Sequence, residues 1–383
     1  MLQAAQARGL HTIAVDRDPS APGFRYASRR AIVSTEDETG VERLAGAERV
    51  DGIVSPGSDW PVAVAARVAD RLGLPHPISP QTAVLATSKL RQRERFAEAG
   101  VPQPRHAVCH SVEEAIGAAH ELGLPVVVKA PDRQGQKGLT LVREERELEA
   151  AVETALAAAR SGLVLVEELV DGPEVTVNGF FLGSSLTSLT ITDRSVSEPP
   201  AFGVALAHVW PPGRADGAVE AARAAAQAVG IEEGPIYVQL RLAPDGPRVV
   251  ELAARVGGGH DAELCAAALG VDLNALAIAA ALGERIEPPR PEPQVGGAVV
   301  RFLVAPPGPL REVTGIEDAE AVEGVRWVRI YREPGYVFVP LRRGADRAGA
   351  ILAVGDSAAD ALARADAAAA KLRFEPAEAR LLV

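Results

Sequence analysis

The stretch Gly246-Pro-Arg-Val-Val-Glu-Leu-Ala-Ala-Arg-Val-Gly-Gly-Gly-His260 carries the clearest indication of how this chain folds and where its site lies. A turn leads into an apolar strand, and Glu251 and Arg255 then follow four residues apart, just before three consecutive glycines. A carboxylate and a guanidinium at the end of a buried strand are costly unless each meets an opposite charge, and glycines let the backbone approach a ligand closely. A divalent cation on Glu251 and an anionic substrate group on Arg255 would satisfy both. A Glu251–Arg255 ion pair that closes a loop is the alternative.

The composition of the chain limits its class. At 383 residues it exceeds the size at which one hydrophobic core stops growing, so two or three domains are expected. The net charge is −11, without a basic stripe, which argues against nucleic acid as a partner. No apolar run reaches membrane-spanning length and no secretory signal is evident, so we expect a cytoplasmic protein without a membrane partner. Cys109 and Cys265 are far apart, so neither a disulfide framework nor a zinc site is indicated.

Alternating strands and helices at the start of the chain predict an open parallel α/β sheet. We expect a helix over 2–9, strands over 11–16 and 50–55, and a helix over 60–72. A doubly wound domain ordinarily begins with a strand and a glycine turn, whereas this chain begins within a helix. We therefore expect that the first strand of the domain is missing through a late start or a truncation. A natural variant that lacks the strand is the alternative.

The middle of the chain predicts α+β structure. Between 106 and 166 the pattern predicts a small module with strands 106–110, 126–129, 139–142 and 163–166 and helices 111–122 and 145–160. A larger antiparallel sheet is predicted from strands 174–182, 185–192, 238–242 and 248–251, with Ala-rich helices over 216–229 and 357–372. A Pro-rich connection at 287–293 separates a C-terminal α+β region.

Two segments contain residues suited to binding a nucleotide. Lys129 ends an apolar strand, where a lysine must reach water or meet an anion. The loop Asp132-Arg-Gln-Gly-Gln-Lys-Gly138 follows and can wrap backbone N–H groups around phosphate oxygens, although it is not a Walker A loop. A flexible hairpin with solvated charges is the alternative.

The second segment is Leu163-Val-Leu-Val-Glu-Glu-Leu-Val-Asp-Gly-Pro-Glu174, an apolar strand that ends in two carboxylates. Extended backbone beside Leu169 and Val170 can read an adenine edge through main-chain hydrogen bonds, and the carboxylate of Glu174 can accept from ribose hydroxyls. Two exposed glutamates at the end of a strand are the alternative.

In this order, the motifs resemble the ATP-grasp superfamily over nearly the whole chain. Four segments carry the resemblance: Ser88-Lys-Leu-Arg with Ala99-Gly-Val-Pro-Gln-Pro104, Val126-Val-Val-Lys-Ala-Pro131, Val166-Glu-Glu-Leu-Val-Asp-Gly-Pro-Glu174, and Val250-Glu-Leu-Ala-Ala-Arg-Val-Gly-Gly258. Within the superfamily the chain is most similar to the carboxylate–amine ligases, such as the L-amino acid ligases, and to the carbamoyl phosphate synthetase and biotin carboxylase lineage. The resemblance implies an N-terminal domain over 1–87, an ATP-grasp domain over 88–295 with a lid module at about 106–166, and a C-terminal α+β region over 296–383.

The resemblance also implies roles for single residues. Lys89 and Lys129 would contact the phosphates of ATP, with Lys129 also reaching toward adenine. The lid over the β- and γ-phosphates would comprise Gln134, Gly135, Gln136, Lys137 and Gly138. The hinge beside adenine would comprise Glu167, Glu168, Leu169 and Val170, with Glu174 at the ribose. Glu251 would bind Mg²⁺, and Arg255 would hold the acyl phosphate or the substrate carboxylate.

Two departures from the family pattern weaken the expected metal site. Gln239 stands where the family has a second metal carboxylate, and Ala253 stands where it has an asparagine. Because Mg²⁺ prefers carboxylate and phosphate oxygens, either the ATP phosphates and water hold the ion or activity is reduced. A pseudoenzyme is the alternative. The presence of both lysines, Glu251 and Arg255 favours an active enzyme.

Further residues are candidates for substrate contacts. His208 stands where related amino acid ligases have a substrate-facing His-x-x-Pro segment, although a core or surface histidine is the alternative. Gly257, Gly258 and His260 lie beside Arg255 in the sequence and could line the same pocket. Substrate pockets of this fold lie on variable loops, here expected at 193–214.

Two further pairs of residues are weaker candidates. Asp59 and Trp60 follow a predicted strand, where doubly wound sheets bind ligands, but helix capping by Ser58 or Asp59 explains them equally well. We expect Asp346 and Arg347 to form an ion pair rather than a site.

The expected function is therefore ATP-dependent activation of a carboxylate as an acyl phosphate, followed by attack of an amine. ATP and Mg²⁺ are the implied cofactors, small carboxylates and amines are the implied substrates, and a homodimer is compatible with the resemblance. A bicarbonate-activating carboxylase is one alternative, although the chain has one methionine and lacks the Met-rich turn of a biotin carrier. A nucleotide-binding protein with weakened catalysis is another, and it would explain Gln239 and Ala253.

Overall fold

The N-terminal region contains two short parallel strands and four helices. A computed structural model describes residues 1–377, so positions 378–383 of the predicted C-terminal region lie outside the described residues. The elements of this region are α1 Leu2–Ala7, β1 Ile13–Asp16, β2 Arg29–Ile32, α2 Glu38–Glu48, α3 Asp59–Leu72 and α4 Pro80–Thr87. β1 pairs in parallel with β2, and no other strand in the described part of the chain joins them.

The predicted strand at 50–55 is wrong. These residues form no ladder; instead Val50 and Ile53 pack against Ala45, Val64 and Val68, between α2 and α3. An apolar run of this length can form a strand, or it can form an irregular segment that covers a helix. Here the segment covers α2 and α3. The partner of β1 is the polar segment Arg29–Ile32, which the sequence pattern did not indicate.

The strands and helices predicted over 106–166 are present and form one sheet with two helices, and the assignment of this module as a lid stays a prediction. After α5 Lys89–Glu98, its elements are β3 His106–Cys109, α6 Val112–Leu122, β4 Val126–Lys129, β5 Leu139–Val142, α7 Leu148–Ala158 and β6 Val164–Glu168. The four strands form an antiparallel sheet in the order β3-β6-β4-β5. Valines of the strands, such as Val128 and Val166, share one core with Ala119 and Val152 of the two helices, which fixes the sheet against them.

The rest of the described chain contains eleven strands, of which eight form one large sheet and three form a separate sheet. Its central elements are β7 Glu174–Leu182, β8 Ser185–Val196, β9 Ala205–Trp210, α8 Ala218–Ala228, β10 Gly234–Ala243, β11 Gly246–Ala253, α9 Asp261–Leu269 and α10 Leu273–Ala281. The C-terminal elements are β12 Gly297–Leu303, β13 Gly308–Thr314, α11 Ile316–Glu320, β14 Val325–Ile330, β15 Val337–Phe338, β16 Gly349–Gly355, α12 Ala358–Ala369 and β17 Arg373–Pro376.

The large sheet has the order β11-β10-β7-β8-β9-β12-β16-β14. Strand β9 was not predicted; it lies within the segment 193–214 and joins β8 to β12. The sheet therefore continues without a break across position 296, where the sequence predicts a domain boundary. That boundary stays a prediction, whereas the predicted α/β and α+β fold class is confirmed by this architecture.

Alanine-rich helices pack closely on the large sheet. α8 places Ala222, Ala225 and Ala226 against β7, β10 and β11, and all three are fully buried. α12 does the same on β12 and β16 with Ala361 and Ala365, which lie one turn apart on a single face. Small side chains let the helix approach the Val and Leu side chains of the strands at close-packed density.

Within the described residues, no single helix is long and apolar enough to cross a membrane. The consecutive helices α9 and α10 reach that length and composition only together, and they are bent by 117° relative to each other.

Candidate active site

Lys89 joins the start of α5 to the end of β11 and to the lid loop. Its Nζ lies 2.8 Å from Oε1 of Glu251 and donates to the carbonyl of Arg133 at 2.9 Å. Burial alone would lower the pKa of Lys89, but Glu251 and Asp59 hold it above its usual value. Burial would likewise raise the pKa of Glu251, whereas Lys89 keeps it below the usual range. One lysine therefore connects the predicted metal carboxylate to the lid.

Arg255 forms its ion pair with Asp59 and not with Glu251. Its Nε lies 2.6 Å from Oδ1 of Asp59 and its Nη1 donates to the carbonyl of Val256 at 3.0 Å. Burial would lower the pKa of Arg255, but Asp59 holds it above its usual value. The alternative of a Glu251–Arg255 ion pair is therefore wrong: the two groups meet opposite charges on α5 and at the start of α3.

The position of Asp59 corrects two expectations from the sequence. No strand precedes it, because 50–55 is irregular, and Ser58 makes no side-chain cap bond although it is the N-cap of α3. The carboxylate of Asp59 binds Arg255 instead of capping the helix, while its backbone N–H donates to Oε1 of Gln134 at 2.8 Å. Asp59 thus lies between the strand-end arginine and the lid.

Lys129 belongs to a buried triad at the ends of β4 and β6. Its Nζ lies 2.6 Å from Oε2 of Glu167, and Nε of Arg93 lies 2.8 Å from Oε1 of the same carboxylate. Burial would raise the pKa of Glu167, but Arg93 and Lys129 lower it to about 2. Burial lowers the pKa of Lys129. The alternative of two exposed glutamates is therefore wrong for Glu167; Glu168 pairs with the exposed Arg105.

Arg93 was not predicted from the sequence. It also donates to the carbonyls of Val249 and Val250, at 3.1 and 2.6 Å, on the strand that leads to Glu251. One sequence feature could have identified Arg93: it follows Lys89 by four residues, which places both side chains on the same face of α5. Arg93 fixes the triad to β11, so both predicted phosphate lysines are positioned by one helix.

Glu174 is neutralised within the protein. It forms an ion pair with Arg194, accepts from Nε2 of Gln239 at 2.7 Å, and lies 3.7 Å from Nε of Arg241. Burial would lower the pKa of Arg194, yet Glu174 holds it above its usual value. Arg194 lies in the segment that the sequence treated as a variable loop. The ribose contact of Glu174 stays a prediction.

The segment after β6, which is the expected hinge beside adenine, forms hydrogen bonds to two other parts of the chain. The N–H of Leu169 donates to the carbonyl of Pro125 at 3.3 Å, and the carbonyl of Val170 accepts from Nη1 of Arg241 at 2.8 Å. The segment is therefore an ordered connection between the lid and β7. Its contact with adenine stays a prediction.

The predicted metal positions lie opposite each other. Gln239 on β10 is the register partner of Glu251 on β11. Because Nε2 of Gln239 donates to Glu174, its oxygen is the atom left for a cation. No group of three or more His, Cys, Asp or Glu residues suited to a metal occurs in the described part of the chain. One carboxylate and one amide oxygen fit a Mg²⁺ ion whose other ligands are substrate phosphates and water.

The lid loop forms hydrogen bonds to the N-terminal region and to the C-terminal region. Gln134 accepts from Asp59 of the N-terminal region, and Oε1 of Gln136 accepts from the N–H of Gly344 at 3.3 Å. Gly138 requires glycine, because φ is +68° and a Cβ there would lie 2.6 Å from that of Ala158. This loop, which is the expected lid, is therefore hydrogen-bonded to both regions through its two glutamines.

A cavity of about 120 Å³ lies beneath the lid loop, against the N-terminal region. Five cationic side chains line it: Arg17, Lys89, Arg133, Lys137 and Arg160. Three carboxylates oppose them, from Glu36, Asp59 and Asp132. The excess of positive charge suits a phosphate-bearing or otherwise anionic ligand.

The predicted substrate histidines lie close together but make different contacts. Nδ1 of His208 lies 3.0 Å from Oδ1 of Asp261, and both side chains are buried. Burial would raise the pKa of Asp261, but His208 helps to lower it to about 2. A Cβ at Gly259 would lie 2.5 Å from Cε1 of His208, so this glycine makes room for the ring. His260 instead contacts the hydroxyl of Tyr331 at 2.6 Å.

The expected ion pair between Asp346 and Arg347 is wrong. Asp346 lies in the 3₁₀ turn Gly344–Asp346 and binds Nε of Arg343 at 3.1 Å. Arg347 extends the other way, with its Cζ 3.7 Å from the centroid of the Phe302 ring. Adjacent residues do not face each other in such a turn, so opposite charge at neighbouring positions does not make a pair.

Comparisons with known proteins agree with this architecture. Residues 88–180 match the family model described as carbamoyl-phosphate synthase L chain, ATP binding domain, and residues 301–377 match L-amino acid ligase C-terminal domain 2. The L-amino acid ligase from Bacillus licheniformis superposes with a TM-score of 0.84 at 22% identity, covering 98% of this chain and 95% of that one. At this identity the likeness shows the fold, which is that of the ATP-grasp proteins.

Two curated relatives show how far the sequence similarity extends. The uncharacterized protein y4rH of Sinorhizobium fredii is 29% identical over 376 residues, covering 94% of this chain and 77% of the relative. The D-alanine–D-alanine ligase of Pseudomonas entomophila is 39% identical over 107 residues, which are 28% of this chain and 33% of that enzyme.

Proposed function

We propose, from the premise that this chain has the ATP-grasp fold, that it is an ATP-dependent, ADP-forming carboxylate–amine ligase. One observation carries the proposal most strongly: Lys89 contacts both Glu251 and the carbonyl of Arg133, at 2.8 and 2.9 Å. A single cation thus links the carboxylate suited to a metal with the loop suited to phosphates. The matches to an ATP binding domain and to an L-amino acid ligase domain support the same reaction class.

Both lysines retain capacity to bind a phosphate. An ammonium group has three N–H donors. Lys89 uses two of them, on Glu251 and Arg133, and Lys129 uses one, on Glu167, within the described part of the chain. The remaining donors would bind ATP oxygens. Phosphoryl transfer depends mainly on such positioning and neutralisation rather than on covalent help from the protein.

Mg²⁺ would be held by Glu251 and the side-chain oxygen of Gln239, and it would supply neutralisation of the phosphate charge. The weak protein ligand set is compatible with this role, because Mg²⁺ usually keeps phosphate and water ligands. Arg93 would act indirectly, by fixing the strand that presents Glu251.

The proposed reaction has two steps. A carboxylate oxygen of the acid attacks the γ-phosphorus of ATP, the bond to the bridging oxygen breaks, and ADP leaves. The amine nitrogen then attacks the acyl carbon, phosphate leaves with the bonding electrons, and the nitrogen loses a proton. Arg255 would stabilise the acyl phosphate through Nη2, which has no hydrogen-bond partner among residues 1–377. The closed lid would exclude water, which would otherwise hydrolyse this intermediate.

A nucleotide-binding protein without turnover is the second candidate. The observation that favours it is the Gln239–Glu174 hydrogen bond, which ties the neutral residue of the metal site to an internal partner. The two candidates differ in one outcome: a binding protein retains ATP without releasing ADP.

The test is a screen of the purified protein with ATP, Mg²⁺ and each of the common amino acids, with and without hydroxylamine. Hydroxylamine traps an acyl phosphate as a hydroxamate, so a ligase gives ADP and hydroxamate in equal amounts. Arg255→Gln should lose this activity, whereas the control Arg248→Gln, at a surface pair with Asp245, should keep it. ADP release without hydroxamate would contradict the ligase, and ADP release that requires bicarbonate would indicate the carboxylase alternative.

A further inference from the structure

The cavity beneath the lid loop lies at the carboxyl edge of the small parallel sheet. Arg17 follows β1 directly, Glu36 follows β2 by four residues, and both side chains line this cavity of about 120 Å³. In open α/β structures, ligands bind in the crevice outside the carboxyl ends of the parallel strands. The cavity therefore occupies the position in the N-terminal region where a ligand site is expected.

The carboxylates in the wall of this cavity already have partners within the protein. Glu36 lies 2.5 Å from Nη2 of Arg160, and Asp59 lies 2.6 Å from Nε of Arg255. Asp132 forms no ion pair among residues 1–377, but it accepts from the backbone N–H of Arg160 at 3.0 Å. Two of the three carboxylates are thus neutralised by arginines, and the third is bonded to the backbone.

Three cations in the wall have no carboxylate partner. Arg17, Arg133 and Lys137 line the cavity and form no ion pair among the residues that the structure describes. Nε of Arg133 donates to the carbonyl of Ala158 at 2.5 Å, which leaves its two Nη groups for a ligand. Against these three positive charges stands the single carboxylate of Asp132. The wall therefore has a surplus of positive charge that an anion would neutralise.

The cavity adjoins the ion pairs to which the proposed reaction assigns phosphoryl transfer. Lys89, which contacts Glu251, and Asp59, which contacts Arg255, both belong to its wall. Lys129 does not line it, so the cavity extends from Lys89 toward the N-terminal region and away from the expected adenine site. A protein cavity of about 150 Å³ holds one benzene molecule. The present cavity is therefore too small for a nucleotide, but it has room for a carboxylate or a phosphate on a short chain.

We propose that this cavity binds a second anionic group of the acid substrate, so that the enzyme prefers acids with a carboxylate or phosphate besides the reacting carboxylate. The inference rests on the proposed ligase function, which supplies the acid. The acid is the substrate that must contact the γ-phosphate, and the loop expected to cover that phosphate also lines the cavity. With the reacting carboxylate at Arg255, the far end of a short acid would extend toward Arg17. A guanidinium binds a carboxylate or phosphate through two parallel hydrogen bonds.

The experiment measures hydroxamate formation, so the natural amine need not be known. For the carboxylate arm, L-glutamate is compared with L-glutamine and L-aspartate with L-asparagine, since the members of each pair differ in charge and little in size. For the phosphate arm, O-phospho-L-serine is compared with L-serine. Arg17→Gln removes the charge, and Arg17→Lys keeps it without the planar guanidinium. Arg30→Gln is the matched control, because Arg30 is exposed on β2 and does not line the cavity.

We expect the wild type to favour the anionic member of at least one pair, measured as the ratio of the two kcat/KM values. Arg17→Gln should lower this ratio by about tenfold to one-hundredfold, the range for lost charge-assisted hydrogen bonds. Arg17→Lys should lower the ratio less, and Arg30→Gln should keep it. The melting temperature of each variant checks that the fold is unchanged. The arm in which the preference is lost identifies the anionic group.

Three results would overturn the proposal. The wild type could form hydroxamate from uncharged acids at least as efficiently as from the anionic ones. Arg17→Gln could fold as the wild type and keep the full preference. Arg17→Gln could weaken ATP binding in calorimetry by about tenfold while the preference stays constant, which would assign the cavity to the triphosphate. Absence of hydroxamate with every acid and wild-type enzyme would instead refute the ligase function itself.

Discussion

Replacing Glu167 with glutamine removes the carboxylate that two buried cations share. The side chains of Glu167, Lys129 and Arg93 are only 3, 6 and 2% exposed, so the ion pairs are little screened by solvent. The pKa of Glu167 is about 2 in the folded protein, against an ordinary value of 4.5. Because one pKa unit corresponds to about 1.4 kcal/mol, ionised Glu167 contributes about 3 kcal/mol to the free energy of unfolding at neutral pH.

The pH dependence of this contribution follows from the lowered pKa. A carboxylate whose folded pKa is below its unfolded pKa stabilises the fold fully above the unfolded value, 4.5, and loses this effect as the pH falls toward about 2. Glu167→Gln should therefore be less stable than the wild type by about 3 kcal/mol at neutral pH, and the difference should shrink steadily below about pH 4.5.

Urea unfolding monitored by tryptophan fluorescence, at about pH 7 and about pH 3.5, measures both quantities. Glu168→Gln is the matched control: it affects an ion pair with Arg105, whose side chain is 62% exposed, so the loss should stay below about 1 kcal/mol. Equal stability of Glu167→Gln and the wild type at pH 7 would refute the buried triad. A difference that stays constant between the two pH values would refute the assigned pKa.

Four further predictions concern the nucleotide, the metal and the lid. Lys129→Ala should weaken ATP binding, measured by calorimetry, by about tenfold or more, because a charge-assisted phosphate contact is lost; unchanged affinity in a folded variant would contradict the phosphate site. Glu251→Gln should abolish ADP release, since no protein carboxylate remains at the metal position, and normal turnover would contradict that assignment. Gln239→Glu, which sets a carboxylate against Glu174, should melt lower without Mg²⁺ and need less Mg²⁺ for half-maximal rate; an unchanged Mg²⁺ requirement would argue against the site. Arg160→Ala removes the ion pair with Glu36 and the stacking on Trp60, so the lid should open more often. ADP release without formation of the ligation product should then rise about two- to fivefold. Arg146→Ala is the control within the lid and should show no rise.

The sequence was most informative where local pattern decides structure. The lid strands Val126–Lys129 and Leu139–Val142 have the predicted bounds, because short runs of β-branched residues flanked by Gly and Pro are typical of strands. The strand Arg29–Ile32 escaped prediction because it is polar, and the apolar run at 50–55 covers helices instead of entering a sheet. Local hydrophobicity alone does not show whether a short segment enters a sheet or covers helices.

The partners of the site residues could not be predicted, because they are distant in the sequence. Lys89 and Glu251 were identified by motif, but their contact depends on how α5 and β11 pack together. Arg93 offered only its position four residues after Lys89, and Arg194 gave no local signal. Their bonds to Glu167 and Glu174 identify both. Arg347 was assigned to the wrong partner because its neighbour in the sequence is an aspartate, although Asp346 binds Arg343.

The central claim is that an acid substrate becomes an acyl phosphate within this site. The most direct measurement uses the acid found in the hydroxamate screen, labelled with ¹⁸O in its carboxylate, and analyses the phosphate released with the amine by mass spectrometry. A ligase of this mechanism transfers one carboxylate oxygen to each phosphate, so the phosphate carries one ¹⁸O. Phosphate without the label, released at the same rate as ADP, would mean that water rather than the acid attacks ATP, and it would contradict the claim.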